Sequence, residues 1–248
     1  MAEPCFGEED YSMLRGFATH RGDSHLDVDD YLSHPRFAHL HHAVGGAVDF
    51  YKRNFAAAIH KFRVAEIATG VGWNLRNLVT HFESFHKDVW LSMDLVDPDP
   101  IVKTAAAEYK KNHPLMSFTP NQIRVEEYRP NLGMHLVVTH GGFQYSGVEL
   151  ANIASRLLYS GGYFAASQII PNPKSKAADV WHELWPDSPL TLKEIKDAFT
   201  GAGFTDIKVF QEPWEPFELP TGYFGGMVNG QKYRWVGVSG RKPELSKK

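Results

Sequence analysis

The feature that most constrains the fold is an alternation of short apolar segments with helical segments between residues 62 and 170. Almost continuously apolar strands that alternate with helices indicate a parallel sheet covered on both faces. The length of 248 residues fits one α/β domain around such a sheet. We assign its strands to residues 62–68, 89–96, 122–125, 135–139 and 163–170.

Helical periodicity and turn residues predict the other elements. Thr191 and Glu194 form a capping-box pattern at the start of the last predicted helix. Helices are expected over residues 43–59, 74–82, 100–111, 148–159 and 191–202. Beyond the fifth strand we expect a loop-rich stretch at 171–189, strands at 206–210 and 233–239, and a long loop at 211–232.

A glycine-containing turn, with Gly70 and Gly72, follows the first strand. Glycines let the chain turn tightly and let backbone N–H groups approach a ligand closely. Glu66 lies near the end of that apolar strand, where a charge without a partner is costly and a bound ammonium would supply one. Asp97 closes the second strand, where a ribose-binding carboxylate is expected. The pattern favours a nucleotide-like ligand.

Other interpretations of this turn remain open. Gly70 and Gly72 are also compatible with an ordinary strand-to-helix turn, and Asp97 with a helix N-cap. Both roles of Asp97 are compatible with each other. A dinucleotide site is disfavoured because Leu75 stands where its third glycine is required, and no Walker phosphate loop occurs in the sequence.

Composition narrows the class of partner and the compartment. The net charge is −3, from 26 basic and 29 acidic residues, which disfavours nucleic-acid and membrane-surface binding. Cys5 is the only cysteine, so no intrachain disulfide forms and a reducing compartment is expected. No apolar run approaches the roughly 20 residues that span a bilayer. The first ten residues lack a signal-peptide pattern. We therefore expect a cytoplasmic enzyme.

The order of these motifs over about residues 60–241 resembles the class I S-adenosylmethionine-dependent methyltransferases of the small-molecule type. Glu66, Gly70 and Gly72 match the first motif of that family, acid-x-Gly-x-Gly-x-Gly, with Ala68 at its first glycine. Asp97 matches the acid that usually binds both ribose hydroxyls.

Later segments extend the resemblance. Residues 124–127 match the segment that borders the adenine, with the choice between Glu126 and Glu127 open. The frequent Phe-Asp start of the fourth strand is Met134-His135 here. Further matches are residues 157–163, with Ser160 in place of proline, residues 190–204, and the final strand at 233–241.

This resemblance implies a Rossmann-like, seven-stranded, mostly parallel sheet in the order 3-2-1-4-5-7-6, with the last strand antiparallel and helices on both faces. It also implies S-adenosyl-L-methionine as cofactor, S-adenosyl-L-homocysteine as product and a small-molecule acceptor. We expect residues 1–60 to form a helical lid and residues 61–248 the core, in a monomer or homodimer. The expected cofactor-binding residues are Glu66, Ala68, Thr69, Gly70, Gly72, Asn74, Asp97, Pro98, Glu126, Glu127, Thr139 and His140.

Methyl transfer from a sulfonium is an in-line displacement, so the protein mainly aligns the reactants and excludes water. His140, just past the fourth strand, is our candidate general base, and Tyr145 is the candidate acceptor contact in the next segment. His140 is alternatively a residue that packs on the cofactor through backbone atoms, and His182 is a weaker candidate base. Six loop aromatics are candidate walls of an acceptor pocket, or about half of them simply pack against the core: Trp181, Trp185, Trp214, Phe217, Tyr223 and Phe224.

Two other functions fit the same motifs: a non-methyl reaction of the same cofactor, and a cofactor-binding regulatory scaffold without turnover.

The chain has 13 histidines, and six lie within the first 42 residues. His39 and His42 are three residues apart and share a helix face, but no acid at a suitable spacing completes a metal site. We therefore predict no metal.

Overall fold

The computed structural model of the protein describes residues 37–55, 61–69, 73–216 and 232–244. Its helices are α1 (Ala38–Asn54), α2 (Trp73–Phe85), α3 (Ile101–Asn112), α4 (Phe143–Leu157), α5 (Lys176–Leu184) and α6 (Leu192–Gly201). Its strands are β1 (Phe62–Ile67), β2 (Leu91–Val96), β3 (Ser117–Asn121), β4 (Met134–His140), β5 (Leu158–Pro171), β6 (Thr205–Gln211), β7 (Glu215–Pro216) and β8 (Lys232–Arg241).

The strands form one sheet in the order β3-β2-β1-β4-β5-β8-β6, and the two-residue β7 pairs with the end of β8. The first five strands are parallel, whereas β8 runs antiparallel to both β5 and β6. With β7 set aside, the seven long strands have the predicted order, and the last strand in sequence is the antiparallel one. The predicted fold class is confirmed.

Helices cover both faces of the sheet. Apolar side chains of α1, α2 and α3 share one core with the strands, and those of α4 and α6 share a second core on the opposite face. The helix α5 packs with β5 and β8 in a smaller cluster of large aromatic side chains. Among the described helices, none combines the length and the apolar character that crossing a bilayer requires.

The apolar side chains of the helix α1 form part of the first hydrophobic core. Its buried residues recur at helical spacing and include Leu40, Val44 and Val48, which contact the sheet. Burying one such side chain contributes about 1.5–3 kcal/mol. The predicted lid boundary at residue 60 stays a prediction, since residues 1–36 and 56–60 lie outside the described part. The described part of that segment packs on the sheet.

Several sequence predictions need correction. The helix α1 and the strand β5 each begin five residues earlier than expected, at Ala38 and Leu158. The third strand is Ser117–Asn121, so the strand expected over residues 122–125 is wrong; Ile123 and Val125 pack on the second core from a connection without strand structure. The stretch 171–189 contains the helix α5, whose Trp181 side chain is buried. The helix α4 begins five residues earlier than expected, at Phe143. Each error falls where tertiary packing outweighs local composition.

The capping box of α6 is confirmed. The Thr191 hydroxyl accepts a hydrogen bond from the Glu194 N–H, and the Glu194 carboxylate accepts one from the Thr191 N–H at 3.0 Å. After the helix, Gly203 has a φ of +83°, the left-handed conformation that glycine adopts at low cost. These two signals fix where α6 begins and ends.

Candidate functional site

The strand register aligns the carboxyl ends of β1, β2 and β4. Ile67 is opposite Val96 on one side and Thr139 on the other, in two parallel ladders. The next residue of each strand is therefore Ala68, Asp97 or His140, and the three lie side by side along the edge of the sheet, with neighbouring strands about 4.8 Å apart. This is the edge at which open parallel sheets bind ligands.

The turn after β1 begins with a buried acid. Glu66 is 2% exposed, and its backbone carbonyl accepts a hydrogen bond of 3.0 Å from the Thr69 hydroxyl. Burial, with an added contribution from the Glu66 charge, raises the pKa of Tyr109 on α3 to about 12. Of the other residues predicted in this turn, Gly70 and Gly72 lie outside the described residues, as does the Asn74 side chain.

Ala68 occupies the position of the first glycine in the predicted motif, and its φ is +55°. A residue with a Cβ adopts this left-handed conformation at a cost of about 1–2 kcal/mol. The methyl group of Ala68 has room because Gly142 lacks a side chain: a Cβ at Gly142 would lie 2.9 Å from the Ala68 Cβ and 2.4 Å from the Thr139 hydroxyl oxygen. Ala68, Thr139 and Gly142 thus pack closely beneath the edge of the sheet.

The turn after β2 is built by two aspartates. Asp97 is 8% exposed, and its Oδ1 accepts a hydrogen bond of 2.8 Å from the N–H of Asp99. Asp99 in turn accepts one of 2.9 Å from the N–H of Ile101, the first residue of α3. The first N–H of α3 is therefore bonded to Asp99 and not to Asp97. Asp97 shapes the turn in front of the helix, next to Pro98.

Glu126 and Glu127, the predicted adenine-bordering acids, are exposed and lie beyond the true end of β3. Two residues from the end of β3 contact the Asp97 turn: the Asn121 carbonyl accepts from the Asp97 N–H at 3.2 Å, and the Gln122 Nε2 donates to the Pro98 carbonyl at 3.5 Å. Sequence reasoning missed Gln122 because it placed the third strand five residues too late.

Glu127 also borders a pocket of about 390 Å³ beneath the β3–β4 connection. There the Tyr128 hydroxyl donates to Asp94 Oδ2 at 2.5 Å, and a guanidinium nitrogen of Arg63 lies 3.5 Å from the same oxygen. Burial and this bond to Asp94 raise the pKa of Tyr128. The charged groups Arg63 and Asp94 thus neutralise each other within the pocket.

His140 ends β4 and is held by two neighbours. Its Nδ1 lies 2.8 Å from the Ser167 hydroxyl oxygen, and its ring stacks on Trp235 with centroids 5.0 Å apart and planes inclined by 23°. Sequence reasoning did not single out Ser167 or Trp235, because they reach His140 only through the pairing of β5 with β4 and β8. Tyr145 lies in the first turn of α4, and its side chain is outside the described part.

The histidines of α1 that suggested a metal pack on β8. His42 Nδ1 lies 2.8 Å from the Ser239 hydroxyl oxygen, and a Cβ at Gly237 would lie 2.3 Å from His39 Nδ1. Over residues 37–55, 61–69, 73–216 and 232–244, no three His, Cys, Asp or Glu side chains are arranged to hold a metal ion.

The candidate aromatic walls of an acceptor pocket divide into three groups. Trp181 and Trp185 are buried against Tyr233, with their own ring centroids 4.7 Å apart. Trp214 stacks with the Arg234 guanidinium, whose carbon lies 4.3 Å from the ring centroid. The aromatic residues at 217, 223 and 224 lie outside the described residues, and His182 on α5 is exposed.

Comparison with known proteins supports the fold. No protein-family model and no curated protein sequence matches this chain. Phosphoethanolamine N-methyltransferase 2 of Haemonchus contortus, in complex with S-adenosyl-L-methionine, matches with a TM-score of 0.53 and 15% sequence identity. That match covers 81% of this chain but only 53% of the other, so this chain spans about half of that enzyme.

Two further solved structures match over most of both chains. A putative sarcosine dimethylglycine methyltransferase from Galdieria sulphuraria has a TM-score of 0.54 and 14% identity, covering 83% of this chain and 86% of that one. Geranyl diphosphate C-methyltransferase from Streptomyces coelicolor A3(2), solved with S-adenosyl-L-homocysteine, has a TM-score of 0.54 and 12% identity, covering 84% and 80%.

The strand order and these matches together define the class of fold. This chain has the fold of the class I S-adenosylmethionine-dependent methyltransferases, which confirms the expectation drawn from the order of the sequence motifs.

Proposed function

We propose that this protein binds S-adenosyl-L-methionine across the carboxyl ends of β1, β2 and β4 and transfers its methyl group to a small-molecule acceptor. The observation that carries this proposal is the alignment of Ala68, Asp97 and His140 by the strand register, with Glu66 buried directly below.

Glu66 and Asp97 suit the two polar ends of such a ligand. Glu66 is a buried carboxylate at a ligand-binding edge, where the ammonium of an amino acid offsets the cost of burying the charge. Asp97 stands one strand away in a turn that its own Oδ1 helps to fix. A carboxylate in that place suits the two hydroxyl groups of a ribose.

The other predicted cofactor contacts follow from the same edge. Ala68 and Thr69 directly follow β1, and we propose that they bind the amino-acid end through their backbone, together with Gly70, Gly72 and Asn74. We propose that Pro98, Glu126 and Glu127 border the adenine and that Thr139 and His140 border the sulfur. Gln122 joins the adenine side because it contacts Pro98.

The solved structures of the same fold support a small acceptor. The Haemonchus contortus enzyme was solved with phosphomonomethylethanolamine and the Streptomyces coelicolor enzyme with geranyl diphosphate, each together with S-adenosyl-L-homocysteine. When bound, the cofactor supplies a methyl group already activated as a sulfonium. The residues of this chain then have to orient the acceptor, exclude water and take up any proton that it releases.

Isothermal titration calorimetry with S-adenosyl-L-methionine and S-adenosyl-L-homocysteine tests the binding step. Asp97→Asn keeps an oxygen that accepts from the Asp99 N–H, so it removes the charge while preserving the turn. Loss of a charged hydrogen bond of about 1.5–3 kcal/mol predicts affinity about 10–100-fold weaker. Glu66→Gln should weaken binding similarly, whereas Glu149→Gln, on the exposed face of α4, should leave it unchanged.

Absence of binding heat in the unaltered protein would contradict the proposal, as would equal affinities of the Asp97→Asn and Glu149→Gln variants. Turnover is tested by following S-adenosyl-L-homocysteine formation over a panel of small phenols, amines and carboxylic acids. Binding without conversion of any of them would favour a regulatory scaffold over an enzyme.

A further inference from the structure

Three residues from distant parts of the chain meet at the end of β4. His140, Ser167 and Trp235 come from β4, β5 and β8, and all three lie on the face of the sheet that α1 covers. Ser167 is opposite His140 in the parallel ladder and opposite Gly237 in the antiparallel one. Trp235 lies two residues before Gly237 on β8, which brings its ring over the imidazole.

Ser167 holds this corner with both its backbone and its side chain. Its carbonyl oxygen accepts a hydrogen bond of 2.8 Å from the N–H of Gly141, and its hydroxyl oxygen lies 2.8 Å from His140 Nδ1. Ser167 is itself 2% exposed, so a well-packed core fixes its position. The His140 ring is therefore located from one side by Ser167 and from one face by Trp235. Its Nε2 lies on the far side of the ring from Ser167.

We propose that Ser167 and Trp235 are positioning residues that hold His140 as a general base, and that the natural acceptor carries an O–H or N–H proton that His140 removes. This inference rests on the proposed function, because the base acts on an acceptor placed beside the cofactor. It adds the residues that orient the base and the chemical class of the acceptor.

The hydrogen bond to Ser167 determines which ring nitrogen can take a proton. If the serine hydroxyl accepts from Nδ1–H, Nε2 has the lone pair, and the ring can take a proton there without breaking the bond to Ser167. The acceptor's proton moves to Nε2, its electron pair forms the bond to the methyl carbon, and the carbon–sulfur pair stays with sulfur. The stacked Trp235 ring then stabilises the imidazolium through its π face.

Nuclear magnetic resonance of the full chain labelled with ¹⁵N, with S-adenosyl-L-homocysteine added, tests the orientation without an acceptor. Long-range ¹H–¹⁵N correlations assign the proton of each imidazole. The expected result is the Nδ1–H tautomer at His140. Assignment must separate His140 from His39, which packs on Gly237 directly across from Ser167. A predominant Nε2–H tautomer at His140 would overturn the proposal.

Variants test the two positioning residues. Ser167→Ala should mix the two tautomers of His140, and Ser167→Thr, which keeps the hydroxyl, should restore the Nδ1–H form. Trp235→Leu should lower the midpoint of the His140 titration by about half a pH unit, from a cation–π stabilisation of about 0.5–1 kcal/mol. Trp90→Leu, at an exposed tryptophan just before the amino end of β2, is the matched control and should leave that midpoint unchanged.

Activity measurements test the acceptor class. Ser167→Ala should reduce kcat about tenfold or more with little change in KM for acceptors with an O–H or N–H proton. It should not alter transfer to a tertiary amine, which needs no base. Melting temperatures identify any variant that fails to fold. If Ser167→Ala does not fold, the Ser167→Thr variant and the His140 tautomer of the unaltered protein test the proposal.

Calorimetry separates the two levels of failure. Without binding of S-adenosyl-L-homocysteine the proposed function is wrong, whatever the state of His140. With binding, but with a His140 ring unaffected by both variants, only the present inference is wrong.

Discussion

The two histidines of β4 each form a hydrogen bond through Nδ1, but their surroundings differ. His135 Nδ1 accepts a hydrogen bond of 2.9 Å from the Arg63 N–H, and His140 Nδ1 lies 2.8 Å from the Ser167 hydroxyl oxygen. His135 is 1% exposed at the amino end of the strand. Four aromatic rings surround it, with centroids 4.8–5.1 Å away: Tyr51, Phe55, Phe62 and Tyr159.

The difference lies in which end of a parallel strand each histidine occupies. Buried among the aromatic rings at the amino end, His135 fills the core and satisfies one N–H group of the neighbouring strand. The carboxyl end carries His140, two buried acids and Ala68 in a strained conformation. Backbone strain is common at functional sites, and open parallel sheets bind ligands at the carboxyl ends of their strands. The two ends should therefore respond differently to substitution.

The largest expected effect is on catalysis at the carboxyl end. His140→Gln should lower kcat for an O–H or N–H acceptor by about 100–10,000-fold, the usual contribution of a general base. Its effect on the free energy of unfolding should stay below about 2 kcal/mol, because only one hydrogen bond and one ring contact are lost. Initial rates and urea denaturation measure the two quantities. An unchanged kcat would remove His140 from the mechanism.

The matching change at the amino end should affect folding alone. His135→Ala leaves a cavity among four aromatic rings and an unsatisfied Arg63 N–H, which together predict a loss of about 3 kcal/mol. Urea denaturation measures this loss, and calorimetry should show unchanged affinity for S-adenosyl-L-homocysteine in the folded fraction. A loss below 1 kcal/mol, or a specific loss of cofactor affinity, would break the contrast between the two histidines.

His81 on α2 is also buried, and it makes the stability of the protein depend on pH. Burial, and then the neighbouring His41 and His86, lower the pKa of His81 to about 3. The unfolded chain takes up this proton near pH 6.5 and the folded chain does not. The contribution of neutral His81 to the free energy of unfolding is therefore fully present above about pH 6.5. It falls by about 1.4 kcal/mol per pH unit as the pH drops toward 3.

His81→Phe should flatten this dependence in denaturation curves recorded between about pH 7 and pH 4. Histidines remote from His81 titrate equally in both proteins, so the difference between the two curves reports His81 together with its neighbours His41 and His86. Parallel curves for the variant and the unaltered protein would show that His81 takes up its proton as readily when folded.

The smallest expected effect concerns the close packing below the site. Ala68→Gly should be stabilising by up to about 1 kcal/mol, because glycine adopts a positive φ without the steric cost of a Cβ. Gly142→Ala should destabilise by about 1–3 kcal/mol through overpacking against Thr139 and Ala68. The double variant should recover part of that loss. Additive effects in denaturation would show that the two positions do not interact.

Much of the sheet could be predicted from the sequence because its central strands are buried on both faces. The apolar composition around Val64, Leu95 and Val137 leaves few alternatives. The capping box at Thr191 was equally clear, since it needs only two residues of fixed spacing. The edge strand β3 was misplaced because it pairs with a single strand, β2, and includes Pro120, so it has neither an apolar run nor a strong propensity.

The candidate site was predictable only where it is local. Glu66 and Asp97 follow from strand ends, which are visible in the sequence. The partners of His140 are not, because Ser167 and Trp235 reach it through a parallel and an antiparallel pairing. Likewise, the space for the Ala68 methyl group comes from Gly142, in a different loop. Contacts that depend on register between distant strands leave no local pattern.

The most direct test of the cofactor site is a crystal structure with S-adenosyl-L-homocysteine. We predict the ribose hydroxyls on the Asp97 carboxylate, the amino group beside Glu66 and the sulfur facing His140. Density for the ligand elsewhere, such as in the pocket between Arg63 and Tyr128, would contradict the account.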